Sequence, residues 1–162
     1  MPLAPETRLG VLTAAAVVVT DQASKAWMMD LLLEPHRIIV IAPFFNLVPV
    51  WNKGISFGMM QAHESWAAWG LIGIALAITV TLSFWLATSR RPAEAVALGL
   101  IIGGALGNVA DRVRFGAVFD FLDVHAAGWH WPAFNVADAG ISVGAVSLIG
   151  LALFGGPERR KS

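Results

Sequence analysis

The chain of 162 residues contains no cysteine. Disulfides, thiolate nucleophiles and cysteine-ligated metals are therefore excluded. Charge is scarce as well: 14% of the residues are Asp, Glu, Lys or Arg, against about 25% in an ordinary soluble domain. Eleven basic and eleven acidic residues give a formal net charge of zero. No basic stripe with interleaved aromatics is present, so nucleic acid is not an expected partner. His36, His63, His125 and His130 are dispersed along the chain. None falls in a His-Glu-x-x-His pattern, which sets two imidazoles one helical turn apart on a metal, so no metal site is expected. Gly-x-Ser-x-Gly is missing too. "GISFG", Gly54 to Gly58, resembles it only faintly, and Ser56 reads as structural.

What is abundant is apolar surface, at 57% of residues. That composition predicts a membrane protein, of a length that suits one domain over residues 1–162. Four apolar stretches predict spans at about 9–30, 66–87, 93–111 and 138–156, where a crossing helix needs about 20 residues. Only the second carries no charge at all; the others reach that length by including flanking polar residues. The first is read as a retained span and not a removable leader. Its start, with Glu6 and Arg8, is not strongly basic, and Asp21 and Lys25 occupy the place of a cleavage region. The expected fold is an all-α membrane protein, a four-transmembrane-helix bundle with a small extracytoplasmic β-rich segment after the first helix. Within that segment, about 34–63, the runs Ile38–Ile41 and Phe45–Trp51 read as short strands, with Trp51 and Phe57 suited to the interfacial belt. A second external segment, about 112–136, links the third and fourth spans. Arg8, Arg90, Arg91 and the tail Arg159, Arg160, Lys161 share one face with both termini, which places that face in the cytoplasm. Gly99, Gly103 and Gly107, then Gly140 and Gly144, recur every four residues and predict close helix packing.

Polar residues at membrane depth carry the functional signal. They form five clusters: "DQASK" (Asp21, Ser24, Lys25), "WNKGISFG" (Asn52, Lys53, Ser56), "GNVADR" (Asn108, Asp111, Arg112), "VFDFLDVH" (Asp120, Asp123, His125) and "FNVAD" (Asn135, Asp138). Alternating helix directions put all five on one side, as a single site would require. Two carboxylates held close do not ionise together readily; one can activate water while the other, protonated, polarises a carbonyl. Each acid also has a plainer reading. Asp21 and Lys25 are spaced as a helix-face ion pair. Asp111 neighbours Arg112, and Asp123 reads as a solvated loop residue. Asn135 and Asp138 suit a helix start as capping residues. Spacing alone leaves the reactive pair open among five aspartates. It also leaves open a small transporter, which would more often show internal repeats, and a non-enzymatic scaffold.

The segments "DQASK", "NKGISFG", "GGALGNVADR", "VFDF" and "FNVADAGISVG", in this order and spacing, resemble those of the lipoprotein signal peptidases, the type II signal peptidases of bacteria. The resemblance covers essentially the whole chain. It implies an aspartic endopeptidase of the bacterial inner membrane. Such an enzyme cuts a prolipoprotein before its diacylglyceryl-modified cysteine, close to the extracytoplasmic face. By motif, the catalytic pair is Asp120 and Asp138. Asn108 and Asn135 hydrogen-bond the pair or the substrate backbone, and Asp111 supports it. Arg112 holds backbone carbonyls or a phosphate-like lipid group, Asp21 and Lys25 brace the architecture, and Asn52 and Gly54 lie on a loop closing over the peptide. Phe119 and Ile55 depart from the usual residues and put only local packing in doubt. The implied partners are the lipid-modified precursor and membrane lipids, with a monomeric enzyme and no cofactor.

Overall fold

A computed structural model describes residues 3–54 and 64–154, without the side chains of 64–67. Expectations resting on Ile55, Ser56, Phe57 and Gly58, and on the tail Arg159, Arg160 and Lys161, lie outside the described residues. The elements run α1 (Pro5–Leu33), β1 (Ile39–Ala42), β2 (Phe45–Asn52), α2 (Glu64–Thr88), α3 (Pro92–Phe115), β3 (Val118–Ala126), β4 (Trp129–His130) and α4 (Val136–Phe154). Among the described residues, three helices are long and apolar enough to cross a membrane: Ala68–Thr88, Pro92–Phe115 and Val136–Phe154. α1 differs because its C-terminal half carries charge. Asp21 and Lys25 are nonetheless buried, at 0% and 1% exposure, so these charges face the bundle.

α3 is the central helix and packs against α1, α2 and α4. Lipid tails are as apolar as Leu, so burial alone does not hold helices together in a bilayer; close backbone approach and polar contacts do. The glycines provide that approach. A Cβ on Gly103 would lie 2.5 Å from the Ala14 carbonyl of α1, and one on Gly144 would lie 2.6 Å from the Ala97 carbonyl of α3. A Cβ on Gly104 would collide with the Ala137 carbonyl of α4. The N-terminal part of α1 meets the α2–α3 turn through Gly10, whose Cβ would abut the Ala95 carbonyl and Leu86. Leu9, Pro92 and Leu151 line one groove there. The start of α1, the α2–α3 turn and the end of α4 therefore share one end of the bundle.

The opposite end carries an antiparallel sheet of order β1-β2-β3-β4. The expected strands after the first helix are present as β1 and β2. The sheet is not confined to that segment, and the fold is not all-α. β3 and β4 come from the connector between α3 and α4, and β3 pairs with β2 in the register Val50↔Asp120 and Asn46↔Asp123. Alternation explains the placement: Phe119 and Phe121 point inward and pack on Met28 and Leu32 of α1. α3 also continues past residue 111, so Arg112 is helical and not part of a connector. The helix closes at Gly116, with φ of +73° and its N–H donating to the Arg112 carbonyl at 3.0 Å, a left-handed cap that glycine adopts at no steric cost.

Packing and propensity give opposite expectations for two glycines. Gly104→Ala forces a Cβ against Ala137 and Ile141, and overpacking costs about 1–3 kcal/mol. Gly73→Ala on α2 meets nothing within 4 Å, and is expected to stabilise its helix by roughly 0.5–1 kcal/mol. Thermal unfolding in detergent should move in opposite directions for the two variants; equal shifts would refute the packing role.

Candidate active site

The site forms where the C-terminal turn of α3, the first turn of α4 and strands β2 and β3 meet. Its foundation is Lys25 on α1. The Lys25 Nζ donates to Asp21 Oδ2 at 2.9 Å, Asp111 Oδ2 at 2.8 Å and Asn108 Oδ1 at 3.2 Å. An ammonium has three protons, and each has an acceptor. Gln22 adds a second link from α1, donating to Asp111 Oδ1 at 2.8 Å and Asp21 Oδ2 at 3.1 Å. The two acids use a further oxygen contact each. Asp21 Oδ1 accepts the Ala137 N–H at 2.9 Å, and Asp111 Oδ2 also accepts the Phe119 N–H at 3.1 Å. Those peptide groups immediately precede Asp138 and Asp120.

Asn135 caps α4. Its Oδ1 accepts the Asp138 N–H at 3.0 Å, and Asp138 Oδ2 accepts the Asn135 N–H at 3.2 Å. This is the reciprocal arrangement of a capping box, with Asn and Asp in the two roles. The capping reading of both residues therefore holds as geometry. Their remaining atoms point to the site. Asp138 Oδ1 accepts from Asn108 Nδ2 at 2.8 Å, and Asn135 Nδ2 donates to Asp120 Oδ1 at 2.6 Å. Asn135, fully buried, thus touches both carboxylates. Asn52 completes the surround. Its Oδ1 accepts the Gly54 N–H at 2.8 Å, with Gly54 at φ +82°, and this turn aims Nδ2 at Asp120 Oδ2, 3.0 Å away.

Asp120 is 1% exposed. Its carboxyl is pushed up from 3.8 to about 6. Burial is the main cause, and the nearby Asp138 charge adds to it, against the opposing hydrogen bonds of Asn52 and Asn135 and the charge of Lys25. An aspartate in this state can hold a proton near neutral pH and release it. Arg112 stands at the rim, half-buried, its charge acting on Asp138, Asp120 and Asp111. Its Nε is buried and has no hydrogen-bond partner among the described residues. Beside Asp120, an open cavity of about 360 Å³ is lined by Val50, Trp51, Asn52, Lys53, Gly54, Pro132 and Ala133.

The structure brings together Asp120, Asp138, Asn52, Asn108 and Asn135, with Asp21, Lys25 and Asp111 directly beneath them and Gly54 on the adjoining turn. It separates Asp123 and His125 from this group. Asp123 is not a solvated loop residue but a buried residue of β3, bonded to Asn46 Nδ2 and His130 Nδ1, both at 2.8 Å. Gln22 was not singled out in the sequence, although it shares a helix face with Lys25 at i+3 spacing. Among the described residues, no group of three or more His, Cys, Asp or Glu is placed to hold a metal ion.

Residues 13–154 match the family model described as signal peptidase (SPase) II. A lipoprotein signal peptidase of Methylobacterium sp. (strain 4-46) is 48% identical over 142 residues, covering 87% of this chain and 86% of that protein. One from Anaplasma phagocytophilum (strain HZ) is 39% identical over 145 residues, covering 90% and 92%. A solved bacterial membrane enzyme superposes with a TM-score of 0.74 at 26% identity, over 94% of this chain and 92% of its own.

The Lys25 cluster carries a direct stability expectation. Removing one partner of a buried ion pair leaves uncompensated charge and costs about 3–5 kcal/mol. Lys25→Ala strands Asp21 and Asp111 together, so a large fall in the thermal midpoint and loss of a monodisperse elution profile are expected. A midpoint within one or two degrees of the parent would show that the cluster is not a structural keystone.

Proposed function

Because this chain belongs to the signal peptidase II family, whose members are bacterial membrane proteases, we propose that it is an aspartic endopeptidase acting in the membrane. It removes the signal peptide of a diacylglyceryl-modified prolipoprotein by cutting just before the lipidated cysteine. The observation that carries the reading is the pair Asp120 and Asp138, on separate elements and both hydrogen-bonded to the buried Asn135.

Water between the two carboxylates attacks the scissile carbonyl. Asp138 accepts a proton from that water, and Asp120, whose pKa is about 6, donates its own to the carbonyl oxygen. The tetrahedral intermediate then collapses. The C–N bond breaks as the cysteine nitrogen takes the proton from Asp138, one hydroxyl proton of the intermediate returns to Asp120, and a carboxylic acid and a free amine leave with the pair restored. Asn108, Asn135 and Asn52 orient the acids without adding charge. Arg112, with its unpartnered Nε, holds a substrate carbonyl or a phosphate-like lipid group. Asn52 and Gly54 sit where the bound peptide passes.

All four helices span the membrane in this reading, as one domain. The charges in the middle of α1, Asp21 and Lys25, turn inward to Asn108 and Asp111, and the exposed Arg8 and Asp30 lie near its two ends. The termini and Arg90–Arg91 lie in the cytoplasm, at the bundle end opposite the site. The sheet and the two acids lie at the extracytoplasmic side, where the modified cysteine emerges from the bilayer. The enzyme acts as a monomer, with membrane lipid around the helices.

In purified protein reconstituted with a lipidated precursor, Asp120→Asn and Asp138→Asn should each cut the cleavage rate by about 10²–10⁴-fold while the protein elutes as folded. Normal turnover by either variant would remove that residue from the pair. A stability consequence follows from the raised carboxyl. Its contribution is fully present below the unfolded value near 3.8 and is lost as pH rises through about 6. At pH 7 the loss is at most about 3 kcal/mol, and less where water reaches the site. Asp120→Asn escapes that loss, so it should melt several degrees above the parent at pH 7 and no higher near pH 4. A gap that widens on acidification would have the wrong sign.

A further inference from the structure

Beyond the cavity at Asp120 a second one, of about 530 Å³, continues across the sheet. The two share Val50, Pro132 and Ala133, so they form one trough. Its floor crosses the sheet from Val48 on β2 to Asp123 on β3 and His130 on β4. The trough leads away from the helices. α1 runs two turns past Lys25, about 12 Å, before His36 enters the lining. Asp123 lies three residue steps along β3 from Asp120, about 10 Å of extended chain.

We infer that this trough is the subsite for the stretch of precursor that follows the lipidated cysteine, and that Asp123 makes it favour a basic or neutral residue over an acidic one at the third position after that cysteine. The inference rests on the peptidase reading above and adds to it a determinant of substrate choice. The acyl chains and signal segment belong beside the helices, in the bilayer, so the portion leaving the membrane takes the path across the sheet. An extended peptide advances at the same rate per residue as β3, so with the cysteine held beside Asp120 the third residue after it lies opposite Asp123. The lining fits such an occupant. Val48, Val50 and Pro132 offer apolar surface to small side chains. Asn46 also lines the trough and holds Asp123 in place, its Nδ2 donating to Asp123 Oδ2 at 2.8 Å. No Lys or Arg is among the described residues lining this part of the trough; His36 and His130 line it, His130 Nδ1 lying 2.8 Å from Asp123 Oδ1, and with both imidazoles neutral the Asp123 carboxylate sets the sign of the local potential.

The test uses the full-length protein in lipid vesicles and three diacylglyceryl-modified precursor peptides that differ only in carrying Lys, Ala or Asp at the third position after cysteine. The ratio of kcat/KM for the Lys and Asp peptides is measured in one preparation, so the fraction of folded enzyme cancels. A ratio of about fivefold or more is expected, because an acidic residue meets a like charge at close range in the trough. Asp123→Asn should bring the ratio within about twofold, and Val48→Trp, which fills the trough, should raise KM for all three peptides relative to one ending at the cysteine. Cleavage of all three peptides at one rate, or a ratio unchanged in Asp123→Asn, overturns the subsite and leaves the peptidase reading standing. Cleavage of none overturns both.

Discussion

One ammonium group holds the site in place. Lys25 sits between Asp21 of its own helix and Asp111 of α3, in a region with almost no water to screen any of them. Buried ion pairs are poor sources of net stability, since desolvation offsets their attraction. Their value lies in geometry, and here the geometry propagates. Asp21 accepts the N–H of Ala137, the residue before Asp138; Asp111 accepts the N–H of Phe119, the residue before Asp120. Each acid that neutralises Lys25 thus fixes the backbone beside one member of the proposed catalytic pair. Two elements far apart in sequence are set against each other by a single positive charge.

That cluster fits only because the helices approach so closely. A Cβ on Gly107 would lie 2.6 Å from Asp21 Oδ2, so the glycine makes room for the carboxylate as well as for the helix. The small-residue spacing that reads as a packing signal is therefore part of the electrostatics too. Close approach excludes lipid and water from the ion cluster, and the cluster, with every Lys25 proton accepted, fixes the register at which α1 and α3 meet.

Much of this was legible in the sequence because it is local. Apolar runs gave the helices, β-branched runs gave β1 and β2, and four-residue glycine spacing gave the faces of α3 and α4 that pack. The pairing of β2 with β3 is a long-range event that no local pattern encodes, so the connector after α3 read as a linker when it supplies half the sheet. The same blind spot grouped Asp123 with Asp120. Three residues apart on a strand, they face different surroundings, and only the register with Asn46 and Val50 separates them. Gln22 escaped notice because amides carry no charge to mark them, although its position beside Asp21 and Lys25 on the helix was readable. The family resemblance chose Asp120 and Asp138 from five aspartates; the structure supplies a physical reason for that choice, since Asp21 and Asp111 are committed to Lys25 and Asp123 to His130 and Asn46.

The proposed mechanism gives the acid at the start of α4 two tasks that pull against each other. A helix cap requires a fixed acceptor; acid–base chemistry requires a proton that comes and goes. The surround reconciles them through asparagine. Asp138 caps with one oxygen and is aligned at the other by Asn108, while Asp120 is held by Asn52 and Asn135. Amide donors fix direction without contributing a full charge. A lysine or arginine in hydrogen-bonding contact at these places would orient the carboxylates equally well but would also pin them ionised. With neutral donors, burial is left to govern Asp120, and its carboxyl rises to about 6. Keeping Lys25 one layer below, in contact with Asn108 and not with either member of the pair, confines its strongest field to the acids that build the frame. In the proposed mechanism, the separation between charged frame and amide-lined site lets a rigid helix start also serve as a proton acceptor.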